Sequence, residues 1–198
     1  ISGLIKLFDE KKIKTHLGIG LSLPTGSIDK RDTTPNSLSA RLGYGMQNGS
    51  GTFDTMIFLN NVNNFGKIKL GEQFLFKKSA SGKNSKDYKY GDFYQSTIWA
   101  SYSWLKNLSS SLKLNYNYQS QMKGSDNEMN PRMSPVMDSR NIGYQELNLG
   151  VGINFVNPNS FFKNHRIGVE LLVPIFKRNR GIQMSQNFKT MFGWQYSF

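Results

Sequence analysis

The chain ends on the stretch that most limits what it can fold into. Residues 188–198 read Phe-Lys-Thr-Met-Phe-Gly-Trp-Gln-Tyr-Ser-Phe. Phe188, Thr190, Phe192, Trp194, Tyr196 and Phe198 alternate with Lys189, Met191, Gly193, Gln195 and Ser197. Side chains along a strand point to opposite faces in turn, so this segment is a strand with one aromatic face and one small or polar face. A soluble sandwich can use such a strand at its edge. An outer-membrane barrel can use it too, with the aromatic face to lipid and the polar face inward.

The same alternation recurs upstream and favours the barrel. Strands are expected at Ile1–Phe8, Ile13–Leu23, Phe53–Val62, Lys67–Lys77, Asp92–Leu105, Ser110–Gln121, Gly143–Phe155, Arg166–Phe176 and Phe188–Phe198, nine in all. Most run close to the ~9–11 residues that cross a bilayer when tilted. Their connections sort by length. Asp9–Lys12, Asn63–Gly66, Lys106–Ser109 and Asn157–His165 are short, whereas Thr25–Thr52, Lys78–Gly91 and Met122–Ile142 are long and polar. Short periplasmic turns facing long external loops are the habit of outer-membrane barrels, and a sandwich has no reason to sort its loops this way. Loops of such length are usually functional or disordered. One residue breaks an apolar face without an account: Glu72, among Ile68, Leu70, Phe74 and Phe76.

The fold class expected is therefore all-β, a transmembrane antiparallel up-and-down β-barrel forming one domain over residues 1–198. With no cysteine there is no disulfide framework and no thiol chemistry. No apolar run approaches the ~20 residues of a membrane helix. A formal net charge of +12 suits an anionic partner, but the lysines sit in loops and turns and not along a helix, which speaks against nucleic acid.

Catalysis finds little support. His16 faces the expected lumen beside Lys14, and His165 sits between Asn164 and Arg166; neither has a nucleophile or acid at a useful spacing. No enzyme, cofactor or metal site is assigned. Lys14, His16, Lys113, Glu146, Glu170 and Lys189 fall on the lumen side of the register. Those charges either fill a narrow interior with salt bridges or line a charged pore. Met122, Met129, Met133 and Met137 share one long loop. They are either flexible apolar filler or soft ligands for Cu(I). Gly49, Gly51 and Thr52 lie in a glycine-rich loop with neither the lysine nor the helix of a phosphate-binding loop. Lys30, Arg31, Lys77, Lys78, Lys83, Lys86, Lys177, Arg178 and Arg180 fall in or beside the long loops. There they solvate the rim and can pair with lipopolysaccharide phosphates.

Several segments carry a family resemblance: Leu21–Ser27, Tyr44–Asp54, His165–Leu171, Val173–Ile175 and Gly193–Tyr196. From about Ile13 onward the chain resembles the outer-membrane transporter family named after the meta pathway of phenol degradation. The resemblance implies a barrel in the bacterial outer membrane that passes a small, often hydrophobic compound. A sealed structural or interaction barrel is the competing class. The tail Trp194-x-Tyr196-x-Phe198 resembles the signal read by the outer-membrane assembly machinery. The partners expected are that machinery, outer-membrane lipid and lipopolysaccharide, and a small-molecule solute.

Strand parity adds one expectation. Single-chain bacterial barrels have an even number of strands with both termini in the periplasm. Counting back from an inward final strand makes Ile1–Phe8 run inward, so Ile1 starts near the outer surface. One or three strands are then expected before it, for ten or twelve in total, or else another chain supplies the missing edge, unless another strand hides within Thr25–Thr52.

Overall fold

The structure, a computed structural model, describes residues 1–34, 37–156 and 165–196. Nine strands form one sheet: β1 (Ser2–Asp9), β2 (Ile13–Ser22), β5 (Asp54–Phe65), β6 (Ile68–Ser79), β8 (Phe93–Ser103), β9 (Leu108–Gln119), β11 (Tyr144–Val156), β12 (His165–Asn179) and β13 (Lys189–Tyr196). Each pairs antiparallel with the next, in a single meander. Among the described residues, β1 and β13 are the two edges, so the sheet is not closed. Four short strands lie outside this wall, in the long loops. They are β3 (Arg31–Thr34) paired with β4 (Ser37–Arg41), and β7 (Tyr88–Lys89) paired with β10 (Lys123–Gly124). The segment Thr25–Thr52 thus holds a separate hairpin and adds no strand to the wall.

Alternation decides which face each side chain takes, and the two faces are inverted relative to a soluble protein. On β11, Val151 is 52% exposed while Asn148 is 3% exposed. Ile57, Ile98, Leu112 and Ile153 are likewise exposed, whereas Thr97, Asn115 and Asn117 are buried. Leaving one such aliphatic side chain in water forgoes about 1.5–3 kcal/mol. A wall that does so on every strand is built for an apolar solvent. Aromatic rings mark both ends of the apolar face. Phe76, Tyr94 and Tyr118 stand in line near the long loops, with ring centres 4.7 and 5.9 Å apart, and Tyr102 meets Trp104 at 4.6 Å near the short turns.

Irregularities in the wall have local causes. Pro174 sits mid-strand in β12, where the register with β11 slips by one residue, and such a bulge is where a strand tolerates a missing donor. Gly18 and Gly71 are required by close approach. A Cβ on either would sit 2.0 Å from Phe58 or 2.1 Å from Trp99, whose rings lie flat over these glycines on the polar face. Glu72 does lie on the apolar face, opposite Asn61, and Asn61 accepts a hydrogen bond from Thr15 Oγ1 at 3.0 Å.

Some turns are tighter than expected. Asn63, Asn64 and Phe65 extend β5, leaving Gly66 and Lys67 to turn the chain. His165 is the first residue of β12, not part of a turn, because its ring stacks on Trp194 of β13 at 5.6 Å. The rest of the expected turn, 157–164, lies outside the described residues.

The long loops are folded together. Tyr44, Tyr88, Met122 and Met129 form a buried core, with Tyr90, Met137 and Ile142 against it. Three loops contribute, and three single turns of 3₁₀ helix, Tyr44–Met46, Pro135–Met137 and Ser139–Asn141, shape them. Tyr44 meets Tyr88 edge-on at 5.0 Å; Tyr90 donates to the Tyr44 carbonyl at 2.7 Å, and Tyr44 Oη accepts from the Asp126 amide at 2.9 Å.

Candidate functional site

The polar face of the wall carries a cavity of about 730 Å³. Its lining comes from β5, β6, β8, β9, β11, β12 and β13 and from the turn between β8 and β9. Antiparallel register stacks its side chains in rows across the strands. One row runs His16, Asn60, Gln73, Thr97, Asn115, Asn148. From β2 to β11 every member is a hydrogen-bonding side chain and none is a carboxylate, lysine or arginine; the row continues to Lys6 on β1, paired with Asp9 at 2.6 Å, and to Pro174 on β12. The next row toward the short turns runs Lys14, Val62, Gly71, Trp99, Lys113, Gly150, Leu172, Lys189. The next row toward the long loops includes Phe58, Leu75, Gln95, Asn117 and Glu146.

The amides hold one another. Gln95 Nε2 donates to Asn117 Oδ1 at 2.8 Å, Asn117 Nδ2 to Asn115 Oδ1 at 2.7 Å, and Asn115 Nδ2 to Thr97 Oγ1 at 2.8 Å. A buried amide left without partners costs about 1–3 kcal/mol, so this chain of bonds keeps the polar wall stable and its groups fixed. Toward the short turns, Lys113 Nζ lies 2.6 Å from the Glu170 carboxylate, with both side chains about four-fifths buried.

The residues singled out from the sequence divide into two groups. Lys113, Glu170 and Lys189 line the cavity. Lys14, His16 and Glu146 share its face by register but lie outside its lining. Lys14 is largely exposed and 3.6 Å from Asp9, while Glu146 is buried opposite Asn117 and Lys177. Trp194 and Tyr196 are exposed on β13, and Trp194 Nε1 donates to His165 Nδ1 at 3.0 Å. Phe198 lies outside the described residues. Trp99, flattened over Gly71, and the neutral row were not visible from spacing alone, because each is assembled by register between strands.

The long-loop end holds a second constellation. Arg41 and Asp126 are almost wholly buried, with Arg41 Nε 2.9 Å from Asp126 Oδ2. Arg41 also reaches Asp29, and Arg31 meets Glu128, which Lys86 approaches at 3.1 Å. Hydrogen bonds from Arg31 and Lys86 pull the Glu128 carboxyl down to about 2. Burial pushes the Tyr44, Tyr88 and Tyr90 phenols up. Arg31 and Lys86, expected on the solvated rim, are therefore committed to acids of the same chain. Met122 and Met129 are core, with Met137 and tyrosine rings packed against them, and Met133 points to solvent.

No family model matches the chain, and no curated protein matches it. Among solved structures it is similar to the COG4313 outer membrane channel from Pseudomonas putida F1, with a TM-score of 0.59 at 12% identity over 96% of this chain. The fold is that of an outer-membrane channel. The chain spans 61% of that channel's length, and at this identity the likeness is one of fold.

Proposed function

We propose that the chain forms the wall of a channel in the bacterial outer membrane and that a small solute crosses along its polar face. One observation carries the reading: hydrogen-bonding side chains gather around a 730 Å³ cavity on one face, while the opposite face, with its own concavity of about 690 Å³ lined by Ile68, Leu112, Val151 and Ile153, is apolar, exposed and edged by aromatic rings. The fold likeness to a channel supports it. The long loops face the outside and the short turns the periplasm, with the loop lysines pairing lipopolysaccharide phosphates. Unpaired edge groups of β1 and β13 cannot stay in hydrocarbon, where each costs several kcal/mol. Both edges therefore need strands to pair with in the membrane.

A sealed barrel that contributes surface structure is the second reading, and the Lys113–Glu170 pair inside the cavity favours it. Planar-bilayer recording on the full chain separates the two. Discrete conductance steps are expected. Silence at every voltage contradicts the channel and selects the sealed barrel.

A further inference from the structure

We infer that this pathway selects anions, an inference that rests on the channel reading above. Among the described residues, the charged groups lining the cavity are Lys69, Lys106, Lys113, Arg166 and Lys189 against one carboxylate, Glu170. Glu170 is spent on Lys113 at 2.6 Å. Arg166 is held toward the cavity by a 3.0 Å hydrogen bond from its Nη2 to Asn154 Oδ1. Lys69, Lys106, Arg166 and Lys189 thus present an unbalanced positive field at the short-turn end. A cleft of one sign with low-dielectric walls focuses that field and concentrates counter-ions.

The level above it fits the same cargo. Of the neutral row, Gln73, Thr97 and Asn115 line the cavity, and they include no carboxylate that would repel an anion and no lysine or arginine that would trap one. Their amide N–H and hydroxyl groups donate hydrogen bonds in place of water. Conduction needs an ion to be held well enough to come in and weakly enough to leave. A basic vestibule followed by a neutral, donor-rich belt supplies that sequence. The solute class is a small anion, inorganic or a carboxylate, and not an uncharged hydrophobic compound.

The test is the zero-current potential of the full chain in a bilayer under a potassium chloride gradient, at low salt where screening is weak. The expected result is chloride permeating several-fold better than potassium. Lys69→Glu with Lys189→Glu should reverse the preference, and Lys69→Arg with Lys189→Arg should keep it. Lys83→Glu, in a long loop away from the cavity, should leave it unchanged. A wild-type channel that conducts but prefers potassium, or shows no preference, overturns the inference and leaves the channel reading standing. A preference that Lys83→Glu shifts as much as the cavity pair does also overturns it, because net charge and not the cavity would then be selecting. Absence of any conductance rejects the channel reading itself, and the inference with it.

Discussion

The wall and the long-loop cluster are built by opposite rules. The wall exposes Ile98, Val151 and Ile153 and buries Thr97, Asn115 and Asn148. The cluster buries Tyr44, Tyr88, Met122 and Met129 and seals one ion pair, Arg41–Asp126, among them. One chain is thus folded for two solvents. Where lipid is the solvent, burying an aliphatic side chain gains little, and backbone pairing with satisfied amides holds the structure. Where water is the solvent, a small apolar core does that work. The difference teaches that the long loops are a folded unit in their own right, and that damage to one region should leave the other standing.

The largest expected effect breaks the cluster alone. Arg41→Ala leaves Asp126 buried without its cation, a loss of about 3–5 kcal/mol for a buried pair. Limited proteolysis should then cut the long loops while the wall stays resistant. The double change Arg41→Leu with Asp126→Leu should lose much less, since it leaves no buried charge unpaired: Asp29 is exposed and keeps Arg31 at 3.3 Å. Equal protease resistance of the Arg41→Ala loops would show that the pair does not hold the cluster.

Next in size is damage confined to the wall. Val151→Lys at the middle of the apolar face should cost about 2–4 kcal/mol in folding into bilayers. Met133→Lys, at an exposed position in a long loop, should stay within about ±0.5 kcal/mol. If both changes cost the same, the wall does not face lipid. Glu72→Leu sharpens the same comparison in the opposite direction: it should stabilise the wall, by less than the lysine costs.

The smallest effect is pH-dependent and belongs to the cluster. The Glu128 carboxyl is lowered from 4.5 to about 2 by Arg31 and Lys86. A lowered acid stabilises the fold while it is charged, so its contribution is present above about pH 5 and lost as pH falls toward 2. Tyrosine fluorescence from the cluster should change across that window, and Glu128→Gln should flatten the change. An unaltered acid transition in the variant would assign the effect elsewhere.

How much of this was legible follows from the range of each signal. The nine wall strands could be read because a period of two is local: Leu112, Leu114 and Tyr116 against Lys113, Asn115 and Asn117 needs no partner strand. The cluster could not, because Tyr44, Tyr88, Met122 and Met129 come from three loops and carry no periodicity. For the same reason the methionines could not be placed from sequence, and it is the loops folding together that brings Met122, Met129 and Met137 into one cluster. The neutral belt lies between these cases. Asn115 and Asn148 were placed on the polar face, but only register brings them side by side with Thr97 and Gln73. Glu72 was seen as an exception and remains one.

The central claim is that alternate residues of the wall face water and lipid. The chain has no cysteine, so single cysteines can be placed along β9 without background. Ser109→Cys, Ser111→Cys and Lys113→Cys, which line the cavity, should react with a small water-soluble thiol reagent in the folded, membrane-embedded protein, whereas Leu112→Cys, Leu114→Cys and Tyr116→Cys should be shielded by lipid. The reverse pattern, or uniform labelling at all six positions, would contradict the account.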